Sequence, residues 1–194
     1  MKKIVLFLLA LSIGTSYGAT INDMPERLGQ FTKNLDTVSA SFEQMKLLPE
    51  STKRFVATGR VKFKKNQGFI WMQESPKKQT FVSTKEKYCL DGVAQDLNSL
   101  PYFYYVRRII DDVLNGDISG LSTVFAVDYV EYGQDSWQLT AKPRFQAVAD
   151  ILQDMVIYGN THDLTKVIIT YNDGTIVIIK FNQNIAEITD EIAC

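Results

Sequence analysis

Residues 54–64, Arg54-Phe55-Val56-Ala57-Thr58-Gly59-Arg60-Val61-Lys62-Phe63-Lys64, alternate in character. Phe55, Ala57, Gly59, Val61 and Phe63 fall on one face. Arg54, Thr58, Arg60, Lys62 and Lys64 fall on the other, with Val56 the one exception. A period of two is the period of a β-strand, and a strand with one apolar and one charged face belongs to an antiparallel sheet that is wet on one side. The same alternation continues on either flank. Upstream, Val38, Ala40 and Phe42 alternate with Ser39, Ser41 and Glu43. Downstream, Asn66-Gln67-Gly68 is a turn, 69–73 a strand and Ser75-Pro76 a break. Short strands follow at 80–83, 87–90 and 93–97, the last two joined by Asp91-Gly92, a strong two-residue hairpin signal.

Two helical periods interrupt the strands. Near the start, Asn22 or Asp23 can cap, Pro25 suits a first turn, and Met24, Leu28, Phe31, Leu35 and Val38 recur at three- and four-residue steps. This predicts an amphipathic helix of about four turns. Pro101 opens a second segment over 102–114, in which Phe103, Val106, Ile109, Ile110, Val113 and Leu114 share a face and Gly116 provides the stop. A helical turn at 118–124 and a short helix within 144–152 are also predicted. Strands then resume at 125–132, 137–141, 155–158, 165–171 and 175–181, with Asn172-Asp173-Gly174 closing the last hairpin. Strands in runs, without alternating helices, define an α+β fold. It consists of one large antiparallel sheet of about eleven strands, curled toward a half-open β-barrel, with short helices on its concave side.

The first 18 residues have the parts of an export signal: Lys2 and Lys3, an apolar run from Ile4 to Ile13, and small residues at Ser16 and Gly18. Cleavage is expected after Gly18, leaving residues 19–194 as a single domain outside the cytoplasm, without a lipid anchor of its own. Loss of Lys2 and Lys3 takes 21 basic residues to 19 against 22 acidic ones, so the mature chain carries a net charge of −3. That balance offers no charge-driven hold on nucleic acid or anionic headgroups. Cys89 and Cys194 are the two cysteines. In an oxidising compartment they can form a disulfide, the alternative being two separate thiols.

Catalytic signals are sparse. The single histidine, His162, lies beside a turn-like Gly159-Asn160-Thr161. Asp111 and Asp112 are adjacent on a helix, where side chains diverge by about 100° and cannot share a substrate. Gly116-Asp117-Ile118-Ser119-Gly120 has the wrong spacing for a nucleophile elbow. No phosphate loop, paired zinc-binding histidines or other metal set is present, and no cofactor is implied. Apolar surface, by contrast, is plentiful. Tyr102-Phe103-Tyr104-Tyr105 is an unbroken aromatic run, and Val167, Ile168 and Ile169, like Ile176, Val177, Ile178 and Ile179, are apolar on both faces of a strand. Such strands are covered on both sides, either by ordinary packing or by a cavity that shelters a lipid. Both readings stay open at this level.

Several elements, in order, resemble the LolA-like family of periplasmic outer-membrane lipoprotein carriers. They are Phe42-Glu43-Gln44 after the first helix; Gly59 with Phe63, then Gly68-Phe69-Ile70-Trp71 and Pro76; the stretch 136–143, Ser-Trp-Gln-Leu-Thr-Ala-Lys-Pro; and Asp173-Gly174 with Ile179-Lys180-Phe181. The resemblance spans nearly the whole mature chain. It implies an eleven-stranded half-open barrel and a non-enzymatic carrier that takes acylated lipoproteins from an inner-membrane transporter to an outer-membrane acceptor. It also implies a monomer that does not span the membrane. Lys65-Asn66 departs from the family's usual Arg-Pro at that place, so a lid contact by Lys65 would differ from the family's. Leu114-Asn115-Gly116-Asp117 with Trp137 and Arg144 is closer to divergent members, whose cargo can be another lipid.

From alternation and helix facing, the expected lining of a lipid cavity is Phe42, Phe55, Phe63, Phe69, Trp71, Phe81, Phe103 and Ile110. Two other readings use the same scaffold: a domain that senses or binds lipoproteins without moving them, and an enzyme acting on an apolar substrate. Transfer between membranes distinguishes the first from a carrier. A closed, dry apolar cavity without convergent polar groups would count against the second.

Overall fold

The computed structural model describes residues 26–33, 35–84, 87–95, 101–183 and 185–194; within 101–107 only the side chain of Tyr105 is included. The expected leader and its cleavage point lie outside the described residues. The elements run α1 (Glu26–Lys33), β1 (Thr37–Leu47), β2 (Arg54–Lys64), β3 (Gly68–Ser75), β4 (Gln79–Thr84), β5 (Tyr88–Leu90), β6 (Val93–Gln95), α2 (Pro101–Asn115), α3 (Ile118–Val124), β7 (Phe125–Tyr132), β8 (Ser136–Pro143), α4 (Gln146–Ala149), β9 (Leu152–Gly159), β10 (Leu164–Tyr171) and β11 (Ile176–Asn182). The first helix ends at Lys33. Leu35 and Val38, which continue its apolar spacing in sequence, sit beyond it, and Val38 already belongs to β1. The switch comes where Thr37 and Val38, β-branched and stiff at χ1, favour an extended backbone.

All eleven strands form one antiparallel sheet in the order β6-β5-β4-β3-β2-β1-β11-β10-β9-β8-β7. Two meanders, β1–β6 and β7–β11, therefore meet where β1 pairs with β11, with Phe42 opposite Phe181 and Lys46 opposite Val177. Among the described strands that seam is the one pairing between strands not consecutive in the chain, and it makes a single surface of the two halves.

The β7–β9 half is filled. Trp137, Leu139, Met155 and Ile157 point inward and meet Leu28, Ile109, Leu121 and Phe125, all 0–1 % exposed. Phe31 of α1 lies 5.4 Å, ring to ring, from Trp137. Each of these side chains contributes roughly 1.5–3 kcal/mol by leaving water. Gly159 faces Trp137 across the β8–β9 pair, and a Cβ there would overlap the indole ring. The indole Nε1–H donates to the Asn160 carbonyl oxygen at 2.8 Å, so the largest buried ring is both packed and hydrogen-bonded. Arg27 fastens α1 to the β7–β8 hairpin. Its Nη1 donates to the carbonyl oxygens of Tyr132 and Ser136, each at 3.1 Å, and its Nε lies 3.1 Å from Glu131 Oε2.

The outer face of the other half carries a strap. Ser39, Lys62, Ile70, Val82 and Cys89 are cross-strand partners in one row from β1 to β5. The C-terminal tail follows that row. The Ile188 N–H donates to Ser39 Oγ at 3.0 Å, Lys62 Nζ donates to the Asp190 carbonyl oxygen at 3.0 Å, and Cys194 is disulfide-bonded to Cys89, with Cα atoms 5.6 Å apart. Ile188 is 2 % exposed. Beneath the strap, Ile70, Val82 and Cys89 are buried on a face that alternation alone would leave wet. On the neighbouring outer row, Met45, Ile178, Ile168 and Val156 are register partners and only half-buried. The outward residues of the all-apolar strands thus shield one another rather than lying under a helix.

An aromatic cavity between the sheet and the helices

The β1–β4 half is not filled. Between it and the helices lies a cavity of about 620 Å³, within the range of about 300–1,000 Å³ usual for small-molecule sites. Its closed end is made by Phe63, Phe69 and Phe81 of the sheet, with Phe31 of α1 and Ile110 and Leu114 of α2 above them. Val177 and Ile179 of β11 and Ile169 of β10 form the far wall. Period-two alternation explains the wall: Phe69 and Trp71, or Val177 and Ile179, are each two residues apart and so share the inward face.

Of the eight residues expected to line such a cavity, Phe63, Phe69, Trp71, Phe81 and Ile110 do so. Phe42 stands behind the lining: it is 3 % exposed and stacks on Trp71 with centroids 3.7 Å apart. Gly59 is its cross-strand partner, and a Cβ at Gly59 would strike both the Phe42 ring and the Met72 carbonyl oxygen. The glycine therefore lets that ring lie flat. Trp71 also meets Phe181 edge-on at 6.3 Å. Phe55 has the inward facing predicted for it but lies past the cavity, opposite Lys46 at the strand end, and is 52 % exposed. The Phe103 side chain lies outside the described residues.

The β2–β3 turn holds both helices. Lys65 Nζ donates to the Thr32 carbonyl oxygen in the last turn of α1, at 3.0 Å. A cation is favoured at a helix C-terminus, where carbonyl groups lack helical partners. The next backbone N–H, that of Asn66, donates to Asn115 Oδ1 at the end of α2, at 3.0 Å, and Asn115 Nδ2 donates to the Asp111 carbonyl oxygen at 2.8 Å. Asn66 has φ of 61°. Proline, locked near −65° and without an N–H, could neither adopt that angle nor make that bond. Nearby, burial pushes the Asp112 carboxyl up to about 6, against the opposing pull of Arg108, whose Nε lies 3.6 Å away.

Inward-facing polar residues were missed by pattern reading. Gln44, Gln73 and Gln79, all half-buried, and Lys46 and Asp173, both exposed, line the end of the cavity opposite the helices. Gln73 and Gln79 are direct cross-strand partners. Asp173 is held below the usual carboxylate range by hydrogen bonding from Thr175, whose N–H lies 2.8 Å from its Oδ1. The sequence signal was there: Val38, Ala40, Phe42, Gln44 and Lys46 share one face, and polarity sets in after Phe42.

Among the described residues, no group of three or more histidine, cysteine or acidic side chains is placed to hold a metal ion. His162 sits in the β9–β10 turn, where its N–H donates to Asn160 Oδ1 at 2.8 Å. No described helix is long and apolar enough to cross a membrane.

The family profile described as "Outer membrane lipoprotein carrier protein LolA" matches residues 33–191. A protein named outer-membrane lipoprotein carrier protein in Francisella tularensis subsp. novicida is 25 % identical over 194 residues, covering 94 % of this chain and 86 % of its own. One of the same name in Pseudomonas paraeruginosa is 30 % identical over 132 residues, covering 66 % of this chain and 62 % of its own. The crystal structure of a LolA superfamily protein from Nitrosomonas europaea aligns over 80 % of this chain and 90 % of its own, with a TM-score of 0.41 and 13 % identity. The chain belongs to the LolA family.

Proposed function

We propose that this member of the family is a periplasmic carrier that shelters the acyl chains of a lipoprotein, or of another acylated lipid, on the way from the inner to the outer membrane. The observation that carries the reading is the cavity of about 620 Å³ with phenylalanine rings at its closed end and two helices above it. A buried methylene is worth roughly 0.8 kcal/mol, so one sixteen-carbon chain left in water costs on the order of 10 kcal/mol. A dry aromatic cavity removes that cost during transit. Chemistry is not needed for such a task; a way in and a way out are. The helices supply both, because over the cavity they are joined to the sheet by side-chain packing and by hydrogen bonds at the β2–β3 turn and, for α1, the β7–β8 hairpin, rather than by a continuous ladder.

In this reading an inner-membrane transporter loads the cavity and an outer-membrane acceptor empties it, and the chain works as a monomer. Native mass spectrometry of protein purified from the periplasm should show a bound acyl species, and the delipidated protein should take up a fluorescent fatty acid. Absence of both would overturn the assignment. Transfer of an acylated peptide between two vesicle populations separates a carrier from a domain that only binds.

A further inference from the structure

The cavity is not uniform along the strands. Its helix-covered end is apolar apart from Gln183, just past β11, whereas its other end carries three carboxamides, the Lys46 ammonium and the exposed Asp173 carboxylate. Strand geometry gives the distance between them. Val38 and Gln44 both line the cavity on β1, and six residues of strand span roughly 20 Å. On β3, Phe69 and Gln73 are separated by roughly 13 Å. An acyl chain fills half of a hydrocarbon core about 30 Å thick, so it extends about 15 Å. A chain whose methyl end rests between Phe63 and Phe69 therefore brings its carbonyl to the level of Gln44, Gln73 and Gln79.

We propose that these three glutamines, with Lys46, form a subsite for the ester and amide carbonyls at the head of an acylated cargo, so that cargo is seated tails first. The assignment rests on the carrier reading above and specifies what the carrier grips. Each carboxamide has two N–H donors and one acceptor. Gln73 uses one donor on the Lys77 carbonyl oxygen at 2.9 Å, which orients its amide at the mouth and leaves a second N–H for a ligand. Gln79, its direct partner on β4, sets a second amide beside it. Lys46 lies opposite Val177 of the cavity wall and can reach an oxygen further out on the head. Apolar side chains at these inward positions would shelter hydrocarbon equally well. Polar ones lower the affinity for plain hydrocarbon and raise it for a molecule with acceptors about 15 Å from its tail end, which is a specificity device.

The test uses two probes on the delipidated protein: a dipalmitoylglyceryl-cysteine peptide and diphenylhexatriene, a hydrocarbon without a polar head. In the triple variant Gln44→Leu, Gln73→Leu, Gln79→Leu, affinity for the peptide should fall at least tenfold while that for diphenylhexatriene stays within twofold. The single variant Gln73→Glu keeps the surface polar but replaces a donor with an acceptor. It should lose affinity for the peptide in the same direction, and it guards against a misfolded triple variant. If both probes bind both variants as they bind the parent protein, the subsite is refuted and the carrier reading stands. If the parent protein binds neither probe, both readings fall.

Discussion

Lys65 Nζ and the Thr32 carbonyl oxygen, 33 residues apart, meet at 3.0 Å across the gap between the β2–β3 turn and α1. This contact and the Asn66–Asn115 hydrogen bond beside it join the sheet to both helices above the cavity. Lys65→Met keeps the length of the side chain but removes the donor. It should leave the fold intact and speed both uptake and release of a fluorescent fatty acid severalfold, since hydrogen bonds of charged groups are worth about 1.5–3 kcal/mol and this one is partly exposed. Stopped-flow fluorescence checks it; an unchanged release rate would show that the contact does not restrain α1.

Asn115→Ala should act on the other helix. It removes the acceptor for the Asn66 N–H and the bond to the Asp111 carbonyl oxygen. The expected loss is about 1–2 kcal/mol, with hydrogen exchange rising at the end of α2 before it rises in the sheet. The double variant with Lys65→Met should release cargo faster than either single one.

Asp112 makes the same helix end sensitive to pH. Its carboxyl is pushed up to about 6 in the folded protein, well above the usual aspartate range, chiefly because it is buried. A raised carboxyl pKa favours the protonated form in the fold. The associated stability is fully present below about 4 and is lost as pH rises through about 6. We expect thermal stability to fall by about 1 kcal/mol across that window and Asp112→Asn to flatten the profile, as measured by melting curves from pH 4 to 7.

Gly159→Ala should destabilise by about 3 kcal/mol, near the upper end for overpacking, because its Cβ would meet the rigid Trp137 indole rather than a movable chain end. Denaturant unfolding monitored by intrinsic fluorescence, to which both Trp71 and Trp137 contribute, checks the value. Cavity binding should survive at temperatures where the variant is folded, since Trp137 belongs to the filled half of the sheet.

Much of this fold was legible because it is local. Alternation from Phe55 to Phe63 gave the strand and its inward face, and Asp91-Gly92 and Asn172-Asp173-Gly174 marked hairpins that the structure contains. The β1–β11 seam was not legible, because nothing within reach of Phe42 in sequence names Phe181 as its partner. Alternation also tells which face a residue takes but not how deep along the strand it lies. That is why Phe55 shares the facing of Phe63 yet stands in water beyond the cavity. The glutamine rim escaped notice for a related reason. A polar residue on an inward face looks like an interruption until the cavity shows where the mouth is. The tail from Ile185 to Cys194 spaces Ile185, Ile188 and Ile192 as a helix would, yet it runs without regular structure, so only its cysteine hinted where it goes.

That tail has a mechanical consequence. From Ile188 at β1 to Cys194 at β5 the strap crosses four strand spacings, on the order of 19 Å, with six residues whose full extension is about 20 Å. It is a tendon near its contour length, laid along the outside of a curved plate and anchored covalently at its far end. Curling the sheet more tightly would lengthen the outer arc, and the only reach beyond the tail itself is that of the disulfide and the Ser39 side chain at its two ends. The disulfide thus closes a belt around the outer face of β1 to β5, so that five strands of the cavity half share one covalent end and two hydrogen bonds on the side away from the cavity.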